Sequence, residues 1–296
     1  MNNTINEMWT NVDRIGYIQP TYKKEYFLNI ENHIIKTCAQ YELTCKFNVS
    51  PLIGGVPPRD DITQVVNGLV NAIAYHDCMG GILVSTRNAE VNCRNFDHIF
   101  SNTHVDDSII SQMLEQIQDK YILEKQETTY DKVIFLPGSN LFHTVNWEKV
   151  EEALIDYPDV MIKLHPVMTD AAADKIKDKY RERIISQNVS GLHLLMNARL
   201  IWTSYNSEFG MIAAMCKIPF GVISKWNDVF TMVYSPVYRH FKYKDVDHNY
   251  LVISKALASN RSGFVFPWQN DWKMKVETYF ESVVNKFSTG LEYPYA

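Results

Sequence analysis

The chain reads Asp159-Val-Met-Ile-Lys-Leu-His-Pro166 and, further on, Arg199-Leu-Ile-Trp-Thr-Ser-Tyr-Asn-Ser-Glu208. Each stretch begins with a short apolar run, passes into polar and turn-forming residues, and is followed by residues with helical spacing. Short apolar runs that alternate with helices predict a buried parallel β-sheet with helices on both faces. In such sheets ligands bind outside the carboxyl ends of the strands, where loops and helix N-termini offer N–H groups to anions.

Two further loops fit the same rule. Pro137-Gly138-Ser139-Asn140 follows the apolar run 132–136, and Ser224-Lys225-Trp226 follows the run 219–223. The carboxyl ends of parallel strands meet at one edge of a sheet. Four strand ends are therefore expected to converge on one rim that is rich in hydrogen-bond donors.

Composition sets the broad class of the protein. The chain has 296 residues, of which 46% are hydrophobic and 21% charged, so it can bury a sizeable core and is long enough for two domains. A net charge of −5 gives no overall attraction to nucleic acid or anionic lipid, although a local basic patch stays open. The five cysteines lack close metal-type spacing and predict reduced thiols. With no secretory signal and no membrane-length apolar run, the expected location is the cytoplasm.

The strand and helix rhythm occurs twice, which predicts an N-terminal Rossmann-like domain over 1–125 and a second domain over 131–265. The segment 266–296 is expected to form a long amphipathic helix, near 268–287, that packs back on the first domain. In the first half we predict strands near 14–19, 44–49, 81–85 and 96–100, and helices near 23–40, 61–76 and 106–123. Asp106 and Asp107 are the expected N-cap of the last of these helices.

The second half has the clearer pattern. Strands are predicted at 132–136, 160–164, 183–186, 199–203 and 219–223, and helices at 146–156, 170–181, 189–197, 207–216 and 250–259. Together the two halves predict an α/β fold.

Several of these segments resemble a known family. Leu164-His165-Pro166, Ile184-Ile-Ser186, the run 194–207 and Ile218-Pro219-Phe-Gly-Val-Ile223 resemble the nucleotide-binding half of GT-B glycosyltransferases. The likeness is to the branch with CDP-glycerol glycerophosphotransferases, capsule-polysaccharide transferases and bacterial sialyltransferases, and it covers about a third of the chain, 132–223. It implies two Rossmann-like domains facing each other across a cleft, with the nucleotide donor held by the second domain and the acceptor by the first.

The resemblance and the strand ends together define the candidate donor site. In that branch a His-Pro pair and a later serine-rich turn hold the nucleotide phosphates. The donor-binding candidates are Gly138, Ser139, Asn140, Lys163, His165, Pro166, Ser204, Asn206, Ser207, Glu208 and Lys225. Each also has a structural interpretation: Pro166 ends a strand, and Ser204, Asn206 and Ser207 can cap the next helix. Many retaining GT-B enzymes carry a second acid where this chain has Ala213, so Glu208 is the candidate for ribose recognition.

The acceptor side is expected at the loops of the first domain. Its candidates are Tyr22, Gly54, Gly55, Arg59 and Arg87. An inverting transferase needs one general base, for which Asp60, Asp61 and His104 are the candidates. Asp60 and Asp61 can equally be a helix N-cap, and His104 is chosen because it would follow the strand 96–100.

These inferences predict an enzyme that transfers a sugar, or as a second choice a polyol phosphate, from a nucleotide-activated donor to a hydroxyl acceptor. The resemblance favours a CDP or CMP donor and leaves UDP open, with no further cofactor and no catalytic metal. The acceptor is expected to be a glycan. Three alternatives stay open: a DNA glycosyltransferase acting on a hydroxymethylated pyrimidine through the aromatic and basic stretch 234–244, a non-catalytic nucleotide-binding or scaffold protein, and an epimerase of nucleotide sugars. Oligomeric state is left open.

Overall fold

The structure is a computed structural model that describes residues 25–41, 44–47, 72–86, 89–119, 123–166, 168–205, 207–225 and 234–284. Its elements in chain order are α1 (Glu25–Gln40), β1 (Thr44–Phe47), β2 (Ala72–Cys78), β3 (Gly81–Thr86), α2 (Ala89–Asn102), α3 (Asp107–Gln116), β4 (Lys132–Phe135), α4 (Trp147–Asp156), β5 (Met161–Lys163), α5 (Asp170–Tyr180), β6 (Ile184–Ile185), α6 (Gly191–Asn197), β7 (Leu200–Thr203), α7 (Phe209–Met215), β8 (Phe220–Val222), α8 (Ser235–Tyr238), α9 (Val246–Ala258), β9 (Phe264–Val265) and α10 (Trp272–Val284). Two 3-10 helices span Ser139–Thr144 and Arg181–Arg183.

The described chain forms two compact units. Leu114–Ile253 forms one of them, which we call the parallel-sheet unit. The described residues up to Met113, together with those from Ser254 onwards, form the other, which we call the mixed-sheet unit. The chain therefore enters the parallel-sheet unit within α3 and leaves it within α9.

The parallel-sheet unit contains five parallel strands in the order β6-β5-β4-β7-β8. Numbered along the chain from β4, this order is 3-2-1-4-5, which is the order of a Rossmann sheet. On one face Ile134, Ile162 and Trp202 pack with Val150 and Ala153 of α4. Helix α4 begins where the Asn146 side chain accepts hydrogen bonds from the N–H groups of Glu148 and Lys149. Strands buried on both faces explain why these runs are almost wholly apolar.

The mixed-sheet unit has four described strands in the order β1-β2-β3-β9. Strand β1 pairs parallel with β2, whereas β2 and β3 form an antiparallel hairpin and β9 pairs antiparallel with β3. The hairpin turn is Met79-Gly80, and both residues have positive φ angles, 50° and 80°, as a tight hairpin with the twist of the strands requires. In its core Tyr279 and Phe280 of α10 pack with Ile30 and Ile34 of α1 and with Val84.

The α/β class is confirmed by these two sheets, and the second half of the chain follows its prediction closely. All five strands and four helices expected between 132 and 223 are present with shifts of one or two residues at their ends. The helix expected at 250–259 begins earlier, at Val246. No helix among the described residues has the length and apolar character that crossing a bilayer requires.

Four predictions in the first half are wrong in whole or in part. Residues 96–100 belong to helix α2 and form no strand, because Phe96, Ile99 and Phe100 have the three- and four-residue spacing of one helix face. The helix expected over 61–76 is contradicted at 72–76, which is strand β2, since pairing with β1 and β3 on both sides outweighs the helix propensity of its alanines. The helix expected over 106–123 ends at Gln116. The antiparallel pairs also differ from the parallel arrangement expected for this half.

Candidate functional site

The carboxyl ends of the parallel strands form the candidate site. The chain runs from β4 to β5 and β6 in one direction across the sheet, and from β7 to β8 in the other. Strands β4 and β7 are therefore neighbours whose crossovers run opposite ways, which leaves a crevice between the loops that follow them. The loop after β4 contains Gly138 and Ser139, and the loop after β7 begins at Ser204.

Loops that follow different strands are joined by hydrogen bonds at this rim. Ser139 Oγ lies 3.2 Å from Thr169 Oγ1 and accepts a hydrogen bond from the Thr169 N–H at 2.8 Å, which joins the loop after β4 to the start of α5. The Tyr205 N–H donates to Ser224 Oγ at 3.1 Å. The Lys225 N–H donates to the Thr144 carbonyl at 2.8 Å. The sequence prediction that these strand ends converge is therefore confirmed by direct contacts.

Gln187 braces the loop that contains the His-Pro pair. Its Nε2 donates to the carbonyls of His165, at 3.2 Å, and Met168, at 2.8 Å. The sequence analysis missed this residue, although it follows the strand β6 and the strand-end rule points to it. These two hydrogen bonds fix the backbone at His165, which is half-buried.

Lys163 has a different environment from the one expected of a phosphate ligand. Its side chain is buried, and Nζ donates to the carbonyls of Leu164 at 2.5 Å and Gln187 at 3.2 Å. Burial lowers the pKa of Lys163 to about 7, and the nearby Asp119 carboxylate opposes part of that shift. Two of the three N–H bonds of a protonated amine are thus already used by backbone carbonyls, so the residue chiefly holds the ends of β5 and β6 together.

A buried hydroxyl without a described hydrogen-bond partner lies at the end of β7. Thr203 is fully buried, and its Oγ1 has no hydrogen-bond partner among the described residues. The next residue, Ser204, is 2% exposed. A buried hydroxyl without a partner costs free energy unless a ligand or water satisfies it. This observation places unsatisfied hydrogen-bonding capacity beside the crevice between β4 and β7.

The start of helix α7 is closed by a tyrosine, which the sequence analysis did not foresee. Tyr238 Oη donates to the Ser207 carbonyl at 2.6 Å and accepts a hydrogen bond from the Gly210 N–H at 3.0 Å. Ser207 Oγ accepts from the Phe209 N–H at 3.2 Å, while Glu208 is half-buried beside it. The N–H groups of Phe209 and Gly210 in the first turn of this helix are thus occupied by side chains of the protein. Tyr238 and Ser207 are 31 positions apart in the chain, so no local sequence pattern predicts the contact.

The remaining donor candidates are less informative. Asn140 lies at the start of a 3-10 helix, Pro166 follows His165, and the Lys225 side chain is exposed. Several candidates lie outside the described residues: Asn206 on the donor side, and Tyr22, Gly54, Gly55, Arg59, Asp60, Asp61 and Arg87 on the acceptor side.

His104 is not at a strand end, which corrects the reason for choosing it. It lies on the loop between α2 and α3 of the mixed-sheet unit and is exposed. The residues before it are helical, so the strand-end argument for a catalytic base fails. The cap predicted for the following helix is confirmed, since Asp106 Oδ1 accepts hydrogen bonds from Ser108, and these hydrogen bonds lower the pKa of Asp106.

The described residues of the aromatic and basic stretch 234–244 are buried up to Tyr238 and partly or fully exposed after it. Tyr234 and Tyr238 are 1% and 2% exposed, and the Tyr238 ring packs edge-on against Phe220 and Phe241. Buried rings cannot stack on nucleic-acid bases. Of the tyrosines in this stretch only Tyr243, at 61% exposure, is accessible, so it is the one ring of the three that could stack on a base.

Metal ligands are sparse in the part of the chain that the structure describes. No group of three or more His, Cys, Asp or Glu side chains there could hold a metal ion. Asp245-Val-Asp247 has the alternating spacing that can bind a divalent cation, but Asp245 Oδ1 accepts from the His248 N–H at 3.2 Å, as an N-cap of α9 does.

Comparison with known proteins gives little further guidance. No family model and no curated protein matches the chain. Among solved structures it is similar to a protein named as a UDP-N-acetylglucosamine 2-epimerase from Listeria monocytogenes, with 12% identity and a TM-score of 0.29 over 65% of this chain and 55% of that one. It is also similar to the spinosyn rhamnosyltransferase SpnG, with 10% identity and a TM-score of 0.30 over 91% of this chain and 81% of that one. The chain thus spans little more than half of the epimerase, and TM-scores of this size do not establish a shared fold.

Proposed function

We propose that the protein is a GT-B glycosyltransferase that binds a nucleotide-activated donor at the carboxyl ends of the parallel strands. The observation that carries the proposal is the crevice between β4 and β7 in a sheet of Rossmann order, with the polar loops of Ser139, His165 and Ser204 around it. Ligands of doubly wound sheets bind at this type of switch point, and nucleotides are frequent among them.

In this proposal the donor phosphates lie against Ser139, Ser204 and the imidazole of His165. Preorganised donors of this kind stabilise the charge that develops on a leaving phosphate, and one of them is worth on the order of 3 kcal/mol. Glu208 is the residue proposed for the ribose. Lys163 positions the loop of His165, because its amine already binds two backbone carbonyls.

The acceptor side remains a proposal that rests on the resemblance. Asp60 and Asp61 are the candidate bases, and a glycan is the proposed acceptor. Transfer of a polyol phosphate is the second choice within the same donor site. No metal is assigned to the reaction, since the proposed charge stabilisation comes from the side chains of Ser139, Ser204 and His165.

Thermal unfolding in the presence of UDP, CDP, CMP, GDP or ADP tests the donor site. At about 100 times its Kd, a nucleotide that binds only the folded state adds about 2.7 kcal/mol to the free energy of unfolding. We expect one nucleotide to stabilise the wild type and to lose most of this effect in His165→Ala. The matched control is His98→Ala, an exposed histidine of the mixed-sheet unit, which should respond like the wild type.

The result also decides between an enzyme and a scaffold. If no nucleotide stabilises the protein, the donor site is absent and the scaffold alternative is favoured. If a nucleotide stabilises wild type and His165→Ala equally, the nucleotide binds elsewhere and the proposed donor site is wrong.

A further inference from the structure

A second cavity lies in the parallel-sheet unit, against one face of the sheet at the β8 edge. It has a volume of about 370 Å³ and is walled by α4, by the middle of β7 and β8, and by the segment 238–243. This volume falls in the range of about 300–1,000 Å³ that small-molecule sites occupy. Tyr205 also lines it, so one end of the cavity reaches the loop after β7.

Gly221 on β8 keeps the cavity walls close together. A Cβ atom on this residue would lie 2.7 Å from the Tyr243 ring and 2.8 Å from Cδ1 of Trp202. Only a glycine therefore lets the two aromatic side chains approach the strand from this side. The backbone of Lys244 has a φ of 59°, a strained conformation for a lysine, at the point where this aromatic wall ends.

The wall contains a hydrogen-bond donor without a partner. Trp202 is 5% exposed, lines the cavity and packs its ring on Tyr157 with centroids 5.3 Å apart. Among the described residues, its indole Nε1–H donates to no acceptor. A nearly buried indole usually finds a partner, because an unsatisfied donor is costly. Nε1 lies beside Gly221, 3.0 Å from where a Cβ atom of that residue would be, so the free N–H donor belongs to the cavity wall.

Charged groups surround the aromatic walls on two sides. Glu152 and Asp156 lie one helical turn apart on α4, are exposed, and form no ion pair with any described residue. On the other side the Lys244 amine donates to the Tyr157 hydroxyl at 2.5 Å and lies 4.7 Å from the centre of the Tyr243 ring. Three basic residues, Lys149, Arg239 and Lys242, also line the cavity. It thus offers carboxylates, cations, an N–H donor and flat aromatic surfaces.

These features select a class of ligand. Because the cavity is lined by both signs of charge, an anionic ligand would meet Glu152 and Asp156 with like charge. A simple ammonium ion would meet Lys149, Arg239 and Lys242 with like charge. A neutral sugar ring suits both signs of charge, since its hydroxyls donate to carboxylates and accept from the amines, the guanidinium and the indole N–H. Its C–H groups carry a small positive charge and pack on the negative face of an aromatic ring.

We propose that this cavity binds a neutral sugar ring, as a carbohydrate site separate from the donor site at the strand ends. Tyr243 supplies the stacking surface, Glu152 and Asp156 accept hydrogen bonds from the hydroxyls, and Trp202 donates to a ring or hydroxyl oxygen. The site does not depend on nucleotide binding, so it stands whether or not the proposed transfer reaction occurs.

Saturation-transfer difference NMR with the full-length protein tests this site. The probes are glucose, galactose, mannose, N-acetylglucosamine and maltose, with tetramethylammonium and uridine as ligands of the competing classes. We expect signals from the ring protons of at least one sugar. Loss of one aromatic platform is worth about 1 kcal/mol, so Tyr243→Ala should weaken binding about fivefold.

Two variants on one helix provide the matched comparison. Glu152→Gln should weaken sugar binding several-fold, whereas Glu148→Gln, an exposed glutamate outside the cavity, should leave it unchanged. The proposal is overturned if no sugar of the panel binds, if Tyr243→Ala and Glu152→Gln bind sugar like the wild type, or if only tetramethylammonium or uridine responds to these substitutions. His165→Ala serves as a further check and should not change sugar binding.

Discussion

Lys163 shows how the position of one residue can be right while its expected role changes. The strand-end rule placed it at the rim, but only the structure shows its amine buried between two carbonyls. Whether a lysine side chain turns outward or back into the protein depends on contacts with β6, and these are not visible in the local sequence. Because the Lys163 amine is buried, its pKa can be tested through the pH dependence of the free energy of unfolding.

The free energy of unfolding should rise with pH because of Lys163. In the unfolded chain the amine keeps its proton up to about pH 10.5, whereas burial lowers its pKa to about 7 in the folded protein. Between these values the unfolded state binds more protons, so raising the pH favours the folded state. From pH 7 to pH 10 the free energy of unfolding by urea should increase in wild type by on the order of 3 kcal/mol more than in Lys163→Met. Equal pH dependence in both proteins would mean that the amine titrates normally.

At the scale of elements, predicted strands and helices are confirmed where the sequence pattern fits only one type of element. Between 132 and 223 every strand was a short apolar run closed by turn residues, and each was found. The stretch Phe96-Asp-His-Ile-Phe100 was predicted as a strand because five residues with three apolar side chains are too few to distinguish a strand from one helix face, and only packing against the core decides. The contact from Tyr238 to α7 was beyond prediction for a related reason, since it joins elements far apart in the chain.

The hydroxyl of Tyr238 should stabilise the start of α7 measurably. Tyr238→Phe removes one oxygen that both donates to Ser207 and accepts from Gly210, and it leaves these backbone groups buried. We expect a loss of about 1–3 kcal/mol in the free energy of unfolding by urea. Tyr41→Phe, at a tyrosine that is 36% exposed in the mixed-sheet unit, is the control and should change little. A Tyr238→Phe protein as stable as the wild type would show that water replaces the hydroxyl.

At the scale of the whole molecule, the described chain has two cores that share no residue. One contains Tyr279 and Phe280 of α10 with Ile30 and Ile34 of α1, and the other contains Ile134 and Trp202 with α4. The first core combines residues from near the two ends of the described chain, so it cannot form until the chain after Ser254 has been made. The β/α rhythm predicted the class of both units, but the antiparallel hairpin β2-β3 depended on pairing that propensity does not encode.

Separate cores imply that the two units can lose stability separately. Phe280 is fully buried, and Phe280→Ala should cost about 3–5 kcal/mol in the mixed-sheet unit by leaving a cavity beside α1. Hydrogen exchange followed by mass spectrometry should then show faster exchange in peptides from α1, β3 and α10, while peptides from β4, β5 and β7 keep wild-type protection. Val150→Ala, in the other core, should produce the opposite pattern, with faster exchange confined to peptides around α4 and the parallel sheet. If either substitution raised exchange equally in both units, the chain would unfold as a single cooperative body. In that case the thermal-unfolding test with nucleotides would report the stability of both units together as well as binding at the donor site.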